Sequence, residues 1–594
     1  MILSRSLAFV YLSLFLVILQ ACSLPVLGAF GTATIVEVNA SGSDSLNGGG
    51  FDPGATFPTD LAATSGTTAA PVVTSASYNF TGSDANAYLF IKSGSNWTPG
   101  WYKITSVASN AATLDAAIGH VVLYNGPTAL NTVAGCATVA SPTTGTWGCD
   151  YSRGTAARIT FTDLAVGGTN TQFTSTGNPV GPNFVGNFIQ VTSGAGFTLQ
   201  TVEVTSTSGT TATVDKTLGG TSLLGGHGGL GGALASPGFG ASLIGNLGGT
   251  SSMAIVGSNT YNITGSANVA GGRLNLTSSN FIYGYTTNRY RYNRDANRPI
   301  LQANANTISL IQVNGGNNNF IGGIDFENGN SSTTVFAYDD GGAWGGDTLW
   351  NCKFHGMAVA AKIGPFAQAR YCWIDACTGS PSAFQGGNDR VTISDCVFTS
   401  NTQLAFSARG GVFNSIFYNN GCTTNEMVSD ARVVSGCLFH TCSSSTARFC
   451  GSTVFMVENS IFWNMSGAGA IAVQSSSDNS QFINNCAFGS NTLDCNTGPA
   501  FSGDKIIGKI TLTGDPCAGA SGGNFALNNT AGAGALLRSL GFPATTSNAL
   551  TSNYQDVGPV RHQDPSGGGF IPGPLQLKTP DRIIRKLPLG KKAA

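Results

Sequence analysis

Charge is what this chain has least of. Only 10% of its 594 residues are Asp, Glu, Lys or Arg, and they nearly cancel to a formal net charge of −1. A chain so balanced has no overall field with which to attract a polyanion, which excludes general nucleic-acid binding. Histidine is scarce as well: the five residues at 120, 227, 355, 440 and 562 assemble no His-rich metal site. There is no Walker-type phosphate loop, no zinc-type Cys/His spacing and no Gly-x-Ser-x-Gly elbow. Long stretches of helical periodicity are missing too, and beyond the N-terminus no run is long and apolar enough to cross a membrane.

What is present is small and turn-forming. Glycine alone contributes 81 residues, while a hydrophobic content of 41% is ample for a core. That balance predicts an all-β protein with many turns. Residues 1–29 read as a targeting segment, with Arg5 followed by an apolar run from Leu7 to Leu19. Leu27-Gly28-Ala29 offers an ordinary signal-peptidase site, the reading adopted here, so the protein is expected to be secreted or at the cell surface. The alternative is a lipobox at Leu19-Gln20-Ala21-Cys22, which would make Cys22 a lipidated N-terminus and the chain an outer-membrane lipoprotein. Membrane attachment follows only in that case.

Two internal repeats organise the rest. Between 320 and 490 a bend residue is followed by Cys or Ser, any residue, then Phe or Ile. The copies are Gly323-Ile324-Asp325-Phe326, Asn351-Cys352-Lys353-Phe354, Tyr371-Cys372-Trp373-Ile374, Asp395-Cys396-Val397-Phe398, Asn414-Ser415-Ile416-Phe417, Gly436-Cys437-Leu438-Phe439, Asn459-Ser460-Ile461-Phe462 and Asn485-Cys486-Ala487-Phe488. Their spacing of about 19–28 residues is that of one coil of a β-solenoid. Residues i and i+2 of a strand share a face, so Cys/Ser and Phe point inward together and stack from coil to coil about 4.8 Å apart. The cysteines of the pattern therefore read as small buried hydrophobes. Outside it, Cys136 with Cys149 and Cys495 with Cys517 are the candidate disulfides.

The second repeat lies N-terminal to the first, at an offset of about 100 residues. Thr59-Asp60-Leu61-Ala62 returns as Thr162-Asp163-Leu164-Ala165, and Ala112-Thr113-Leu114-Asp115 as Ala212-Thr213-Val214-Asp215. The expected organisation is a signal segment at 1–29, a β region with a duplicated module at 30–216, a Gly-rich connector and the start of the solenoid at 217–251, a parallel β-helix of about eight or more coils at 252–560, and a Pro/Gly-rich basic tail at 561–594. Gly225-Gly226-His227-Gly228-Gly229 falls in the connector and reads as flexible chain.

The coils resemble the pectate-lyase-like family of right-handed parallel β-helices, over roughly 235–560. Tyr554-Gln555-Asp556-Val557-Gly558-Pro559-Val560 resembles an ending common among its secreted members. The resemblance implies a fold and leaves activity open, because this architecture hosts lyases, hydrolases, phage tailspikes and adhesins. Aligning the coils on their Phe position predicts an outward column of Asp339 and Asp340, Lys362, Gln385, Arg409, then Asp430 with Arg432. Were the chain a polysaccharide lyase like some family members, Asp339 and Asp340 would hold Ca²⁺ and Lys362 or Arg409 would take the C5 proton, with Asp430 nearby. A glycoside hydrolase would instead need two opposed carboxylates.

A second candidate surface is Tyr283, Tyr285, Arg289, Tyr290, Arg291, Tyr292, Arg294 and Arg298. Aromatic rings stack on sugars and Arg forks bond carboxylates or hydroxyls, so carbohydrate is the natural ligand; Trp97, Trp101 and Trp344 could extend it. His355 and His440 each follow the core Phe of their coil and read as turn residues. The adopted expectation is a non-catalytic exported β-helix presenting a carbohydrate-binding face to a polysaccharide or cell-surface glycan. The alternatives are the lyase or hydrolase above, and a phage-like fibre or spike, which would predict a homotrimer.

Overall fold

The computed structural model describes residues 34–559, apart from 116–143, 539–556 and shorter loops that include 287–296, 340–345, 387–390, 408–409 and 430. These residues fall into two compact units, one mostly N-terminal to Ser236 and one mostly C-terminal to Val256. Among them no helix is long and apolar enough to cross a membrane. The targeting segment, Cys22 and the basic tail lie outside the described residues.

The first unit holds two groups of antiparallel strands. In one, a 6-stranded sheet runs in the order Leu61–Ala63, Val72–Ser75, Ala111–Leu114, Gly100–Ala108, Tyr88–Ser93 and Thr146–Asp150. The other is a closed barrel with the corresponding order Ile159–Val166, Gln172–Thr174, Thr211–Val214, Thr201–Ser208, Phe188–Ser193 and Gly226–Leu230. The repeated Asp plays one part in both. Asp60 accepts from the Ser75 hydroxyl (2.8 Å), and Asp163 accepts from the amides of Thr176 (2.8 Å) and Gly177 (2.7 Å). Each ties the turn after the second strand back to the first. One hydrophobic core, from Leu61 to Leu230, runs through both groups.

The Gly-rich connector is corrected. Gly226–Leu230 is the strand that closes the barrel, pairing with both Phe188–Ser193 and Ile159–Val166. Its glycines are there for closeness of approach: a Cβ on Gly228 would lie 2.8 Å from the Gln190 carbonyl oxygen, and one on Gly226 2.5–2.7 Å from the Phe197 ring. Residues 237–247 then form a helix. Thr34–Val38 pairs in parallel with residues 251–255, a long-range partnership with no local signature. Near the start of the chain, Asp44 accepts from the amides of Ala235 (3.0 Å) and Ser236 (2.9 Å).

This unit buries a carboxyl group at a cost. Asp150 is fully buried, and desolvation pushes its pKa up to about 7 although the Ser152 amide and hydroxyl both donate to it. The folded state therefore holds a proton that an unfolded chain releases near pH 4, so stability falls as pH rises from about 4 to about 7. Urea melts of the first unit should show a loss on the order of 2–4 kcal/mol between pH 5 and pH 8 from this group. Asp150→Asn should flatten that part of the profile; an unchanged slope in the variant would contradict the assignment.

The second unit is built from parallel strands in three sheets. Each turn of the chain supplies one strand to each sheet, as in Thr348–Trp350, Lys353–His355 and Val359–Ile363 before Gln368–Arg370 begins the next. Sheet one runs from Asn280–Tyr285 to Ile506–Ile507. Sheet two has 11 strands, from Thr260–Ile263 to Ile510–Thr511, and sheet three has 10, from Leu274–Leu276 to Leu493–Cys495. The described residues are thus mostly β with long parallel sheets, an arrangement compatible with a parallel β-helix.

The Cys-x-Phe pattern is the corner and strand of sheet two. The bend residues Asn351, Tyr371, Asp395, Asn414, Asn459 and Asn485 all have positive φ, between 47° and 56°, and Gly323 and Gly436 have φ of 61° and 63°. Left-handed backbone suits Gly and Asn, which explains the residue types. Inward, Phe398, Phe417, Phe439, Phe462 and Phe488 stack face to face with centroids 4.5–5.2 Å apart. Beside them Cys352, Cys372, Cys396, Cys437 and Cys486 are buried free thiols. Each donates to a carbonyl two residues back, as Cys396 does to Ser394 (3.3 Å), and Ser415 Oγ accepts the Cys396 amide at 3.2 Å. Burial pushes the Cys437 thiol up to about 12, so it stays protonated and unreactive.

Three residues beyond each Phe a second buried ladder runs parallel to the first. It contains Met357, Cys377, Asn401, Asn420, Cys442 and Met465. Asn401 donates to Asn420 Oδ1 (2.8 Å), and Asn420 donates to the Phe398 carbonyl (2.9 Å), so buried amides are satisfied coil to coil. The expected disulfides are also corrected. Cys149, Cys495 and Cys517 are free thiols; Cys136 lies outside the described residues.

Candidate functional site

The outward side chains of sheet two form two columns. Strand register aligns Asp325, Lys353, Trp373 and Val397 in one, and Glu327, His355, Asp375 and Thr399 in the other. Both continue through Ile416, Leu438 and Ile461, and through Tyr418, His440 and Trp463. Halfway along, the character changes. From Val397 onward the first column is apolar and packs beneath the C-terminal segment, against Cys517, Ala520, Phe525, Leu527, Leu537 and Val557. Before Val397 the face is open: the Trp373 ring is 44% exposed and the His355 side chain 47%.

That open half concentrates polar chemistry around one ring. Trp373 Nε1 donates to Thr399 Oγ1 (2.8 Å), Thr399 Oγ1 donates to Asp375 Oδ1 (2.6 Å), and Asp375 Oδ2 lies 2.9 Å from His355 Nδ1. Lys353 Nζ sits over the indole, 5.1 Å from its centroid. These bonds hold the ring in a fixed orientation from below, which is what preorganises a stacking platform. Around the adjacent corner Arg370 lies over both Trp350 (5.4 Å) and Tyr371 (5.3 Å) and pairs with Asp395 (3.4 Å). Tyr371 is the bulky exception among the bend residues, with φ 55°; its ring meets Trp350 edge-on at 4.9 Å.

The predicted column is partly brought together. Asp339, Lys362 and Gln385 are in direct register on sheet three. Lys362 Nζ lies 3.9 Å from Asp339 Oδ1, and Ser309 Oγ donates to Asp339 Oδ2 at 3.4 Å. Asp340, Arg409 and Asp430 lie outside the described residues.

The tyrosine–arginine surface is corrected where it is described. Tyr283 and Tyr285 are 1% exposed, in a strand, Asn280–Tyr285, that is buried along nearly its whole length. Arg298 is committed within the fold, donating to Asp325 Oδ1 (2.9 Å) and Asn351 Oδ1 (2.8 Å). Arg289, Tyr290, Arg291, Tyr292, Arg294 and Trp344 lie outside the described residues. Trp97 is buried, and Trp101 packs on Phe90 at 4.4 Å.

The histidines are corrected as well. His355 and His440 end strands of sheet two and point outward, and His440 is 4% exposed. What the motif-based reading passed over is the x of Cys-x-Phe and the residue after Phe. A usable signal was there, since x is Asp, Lys and Trp in the first three copies and aliphatic or Ala in the later ones.

No family model matches the chain, and no curated protein does. Among solved structures it is similar to QnrB1, a plasmid-mediated fluoroquinolone resistance protein, with 12% identity over 30% of this chain and 88% of that one. The TM-score of 0.13 is too low to carry any argument about fold or function.

Proposed function

We propose that this chain is an exported, right-handed parallel β-helix protein of the pectate-lyase-like type that binds a polysaccharide or cell-surface glycan on the open half of sheet two. Right-handed winding follows from the general preference of parallel crossover connections. The paired strand orders of the first unit support its origin from two copies of one module. Export rests on the Arg5 and Leu7–Leu19 segment.

The observation that carries the binding reading is Trp373. It is a large exposed ring, fixed by Thr399 and flanked by Lys353, His355 and Asp375. Such a group can stack on the apolar face of a sugar while its polar neighbours bond the hydroxyls. Lys353 adds a preference for uronic or otherwise acidic sugars.

The test is depletion of the purified protein by an immobilised polysaccharide panel, with and without Ca²⁺, alongside product assays. Trp373→Ala should weaken retention about tenfold or more, as expected for an aromatic hot spot of about 2 kcal/mol. Undiminished retention in that variant would sink the proposal. The register of Asp339 with Lys362 favours one second reading, a lyase in which Lys362 is the base. Unsaturated products lost in Lys362→Ala would establish it and displace the non-catalytic role.

A further inference from the structure

Where the C-terminal segment crosses sheet two, three metal-ligating side chains of different kinds converge. His440, at the end of the strand Leu438–His440, meets Asp515 and Cys517 at the start of the hairpin Cys517–Gly519/Asn524–Leu527. One donor atom from each, an imidazole nitrogen, a carboxylate oxygen and a thiol sulfur, all lie within 4.8 Å of one another. His440 Nε2 is 3.0 Å from Asp515 Oδ1. The histidine and cysteine are buried, and the Asp515 side chain is 46% exposed.

We infer that His440, Asp515 and Cys517 form a zinc site that pins the C-terminal hairpin across the apolar half of sheet two. The donor set is nitrogen, oxygen and sulfur, which suits borderline-soft Zn²⁺ and not Ca²⁺ or Mg²⁺. A tetrahedral zinc with bonds of about 2.0–2.3 Å holds its donors about 3.2–3.8 Å apart, so the three need shift by little more than a side-chain adjustment. The fourth position opens toward solvent on the Asp515 side and is filled by water.

The surroundings match an outer shell. Thr441 Oγ1 lies 2.8 Å from His440 Nδ1 and can accept a proton there, which frees Nε2 as the ligand. Asp515 Oδ1 accepts the Cys517 amide (2.8 Å), and the Asn528 side chain donates to the carbonyls of Asp515 (2.6 Å) and Cys517 (3.1 Å), fixing the turn that carries both ligands. On binding, the imidazole stays neutral by moving its proton from Nε2 to Nδ1. The thiol proton leaves to solvent, so about one proton is released per zinc.

The sequence conceals this site. His440 and Cys517 are separated by most of three coils, and no short spacing motif joins them. The hairpin otherwise sits on Val397, Ile416, Leu438 and Ile461 through Phe525 and Leu527, an area of ordinary apolar packing. A metal link across it would make hairpin closure depend on zinc, and with it the boundary between the covered and open halves of the sheet.

The experiment uses the full-length mature protein, stripped with a chelator and dialysed. One equivalent of Zn²⁺ should remain bound after dialysis and raise the unfolding midpoint in a concentration-dependent way, as any ligand specific for the native state does. Co²⁺ should give the absorption of a tetrahedral ion together with a thiolate charge-transfer band. Cys517→Ser should remove that band and weaken Zn²⁺ binding at least tenfold, and His440→Ala should weaken Zn²⁺ binding to a similar degree. Because His440→Ala could perturb packing, the wild-type cobalt spectrum decides independently. No retained zinc, no midpoint shift and no thiolate band would overturn the proposal and leave His440–Asp515 as a hydrogen-bonded pair only.

Discussion

Phe439→Ala will destabilise the second unit by about 3–5 kcal/mol in chemical denaturation, the range for deleting a fully buried aromatic side chain. Phe439 is 0% exposed and lies in the middle of a run of parallel rings, 4.5 Å from Phe417 and 4.9 Å from Phe462, with interplanar angles of 3° and 5°. Removing it takes contact from two neighbours at once. The stack cannot close the gap, because each ring is anchored to a strand whose spacing is fixed by the hydrogen bonds of the sheet. In a solenoid each coil touches only its neighbours, so the loss should also appear locally. Amide exchange in the strands Ile416–Tyr418 and Ile461–Trp463 should accelerate more than at Lys353–His355. The contrasting substitution is His355→Ala on the open face, expected within about 0.5 kcal/mol of the parent. Equal effects at the two positions would mean that the stack contributes nothing specific.

Asp84→Ala should cost the first unit a comparable amount, about 3–5 kcal/mol, for a different reason. The Asp84 carboxyl group is 1% exposed and collects donors from several directions: the Thr81 amide (2.6 Å), the Thr81 hydroxyl (3.2 Å), the Tyr78 hydroxyl (2.9 Å) and the Tyr151 hydroxyl. Asn183, from the neighbouring strand group, donates to the Tyr78 hydroxyl at 2.9 Å and to that of Tyr151. Alanine would strand these buried donors without their acceptor. Asp84→Asn should fall between alanine and the parent, since the amide keeps one acceptor but turns an N–H toward groups that also donate. Tyr78→Phe and Tyr151→Phe should cost less, about 0.5–1.5 kcal/mol each, because each deletes a donor and strands little else. Thermal or urea unfolding of the four variants provides the check. An alanine effect no larger than that of Tyr78→Phe would show that the network is dispensable.

These two expectations differ in how far the sequence anticipated them. The Phe stack was legible because one residue type recurs at one position in coil after coil, and the strand period of two assigns it a face. The bends were legible for a related reason. Asn, Asp and Gly tolerate left-handed backbone, and they stand where the φ values are positive. The second ladder escaped because Met, Cys and Asn share a position without sharing a type, so no motif announces it. The Asp84 network escaped because Tyr151 and Asn183 reach Tyr78 and Asp84 from distant strands and turns, and no short spacing couples them.

The same division applies to the candidate sites. Counting from the Phe positions sets Asp339, Lys362 and Gln385 in one column because strand register propagates from coil to coil, and their strands pair in that register. Tyr283 and Tyr285 were read as surface because they sit among arginines, yet both are buried in the fold. Trp373 looked like any residue between Cys and Ile.

What the sequence determined by itself was the repeating unit: its length, its inward residues and the conformations of its corners, all set by short-range sterics and alternation. Which outward residues remain open was decided only by the tertiary structure. The covering segment around 515–537 packs on strands as far back as Val397, and it brings Asp515 and Cys517 to His440. Burial of an outward column depends on where a distant stretch of chain comes to rest, and local periodicity holds no record of that.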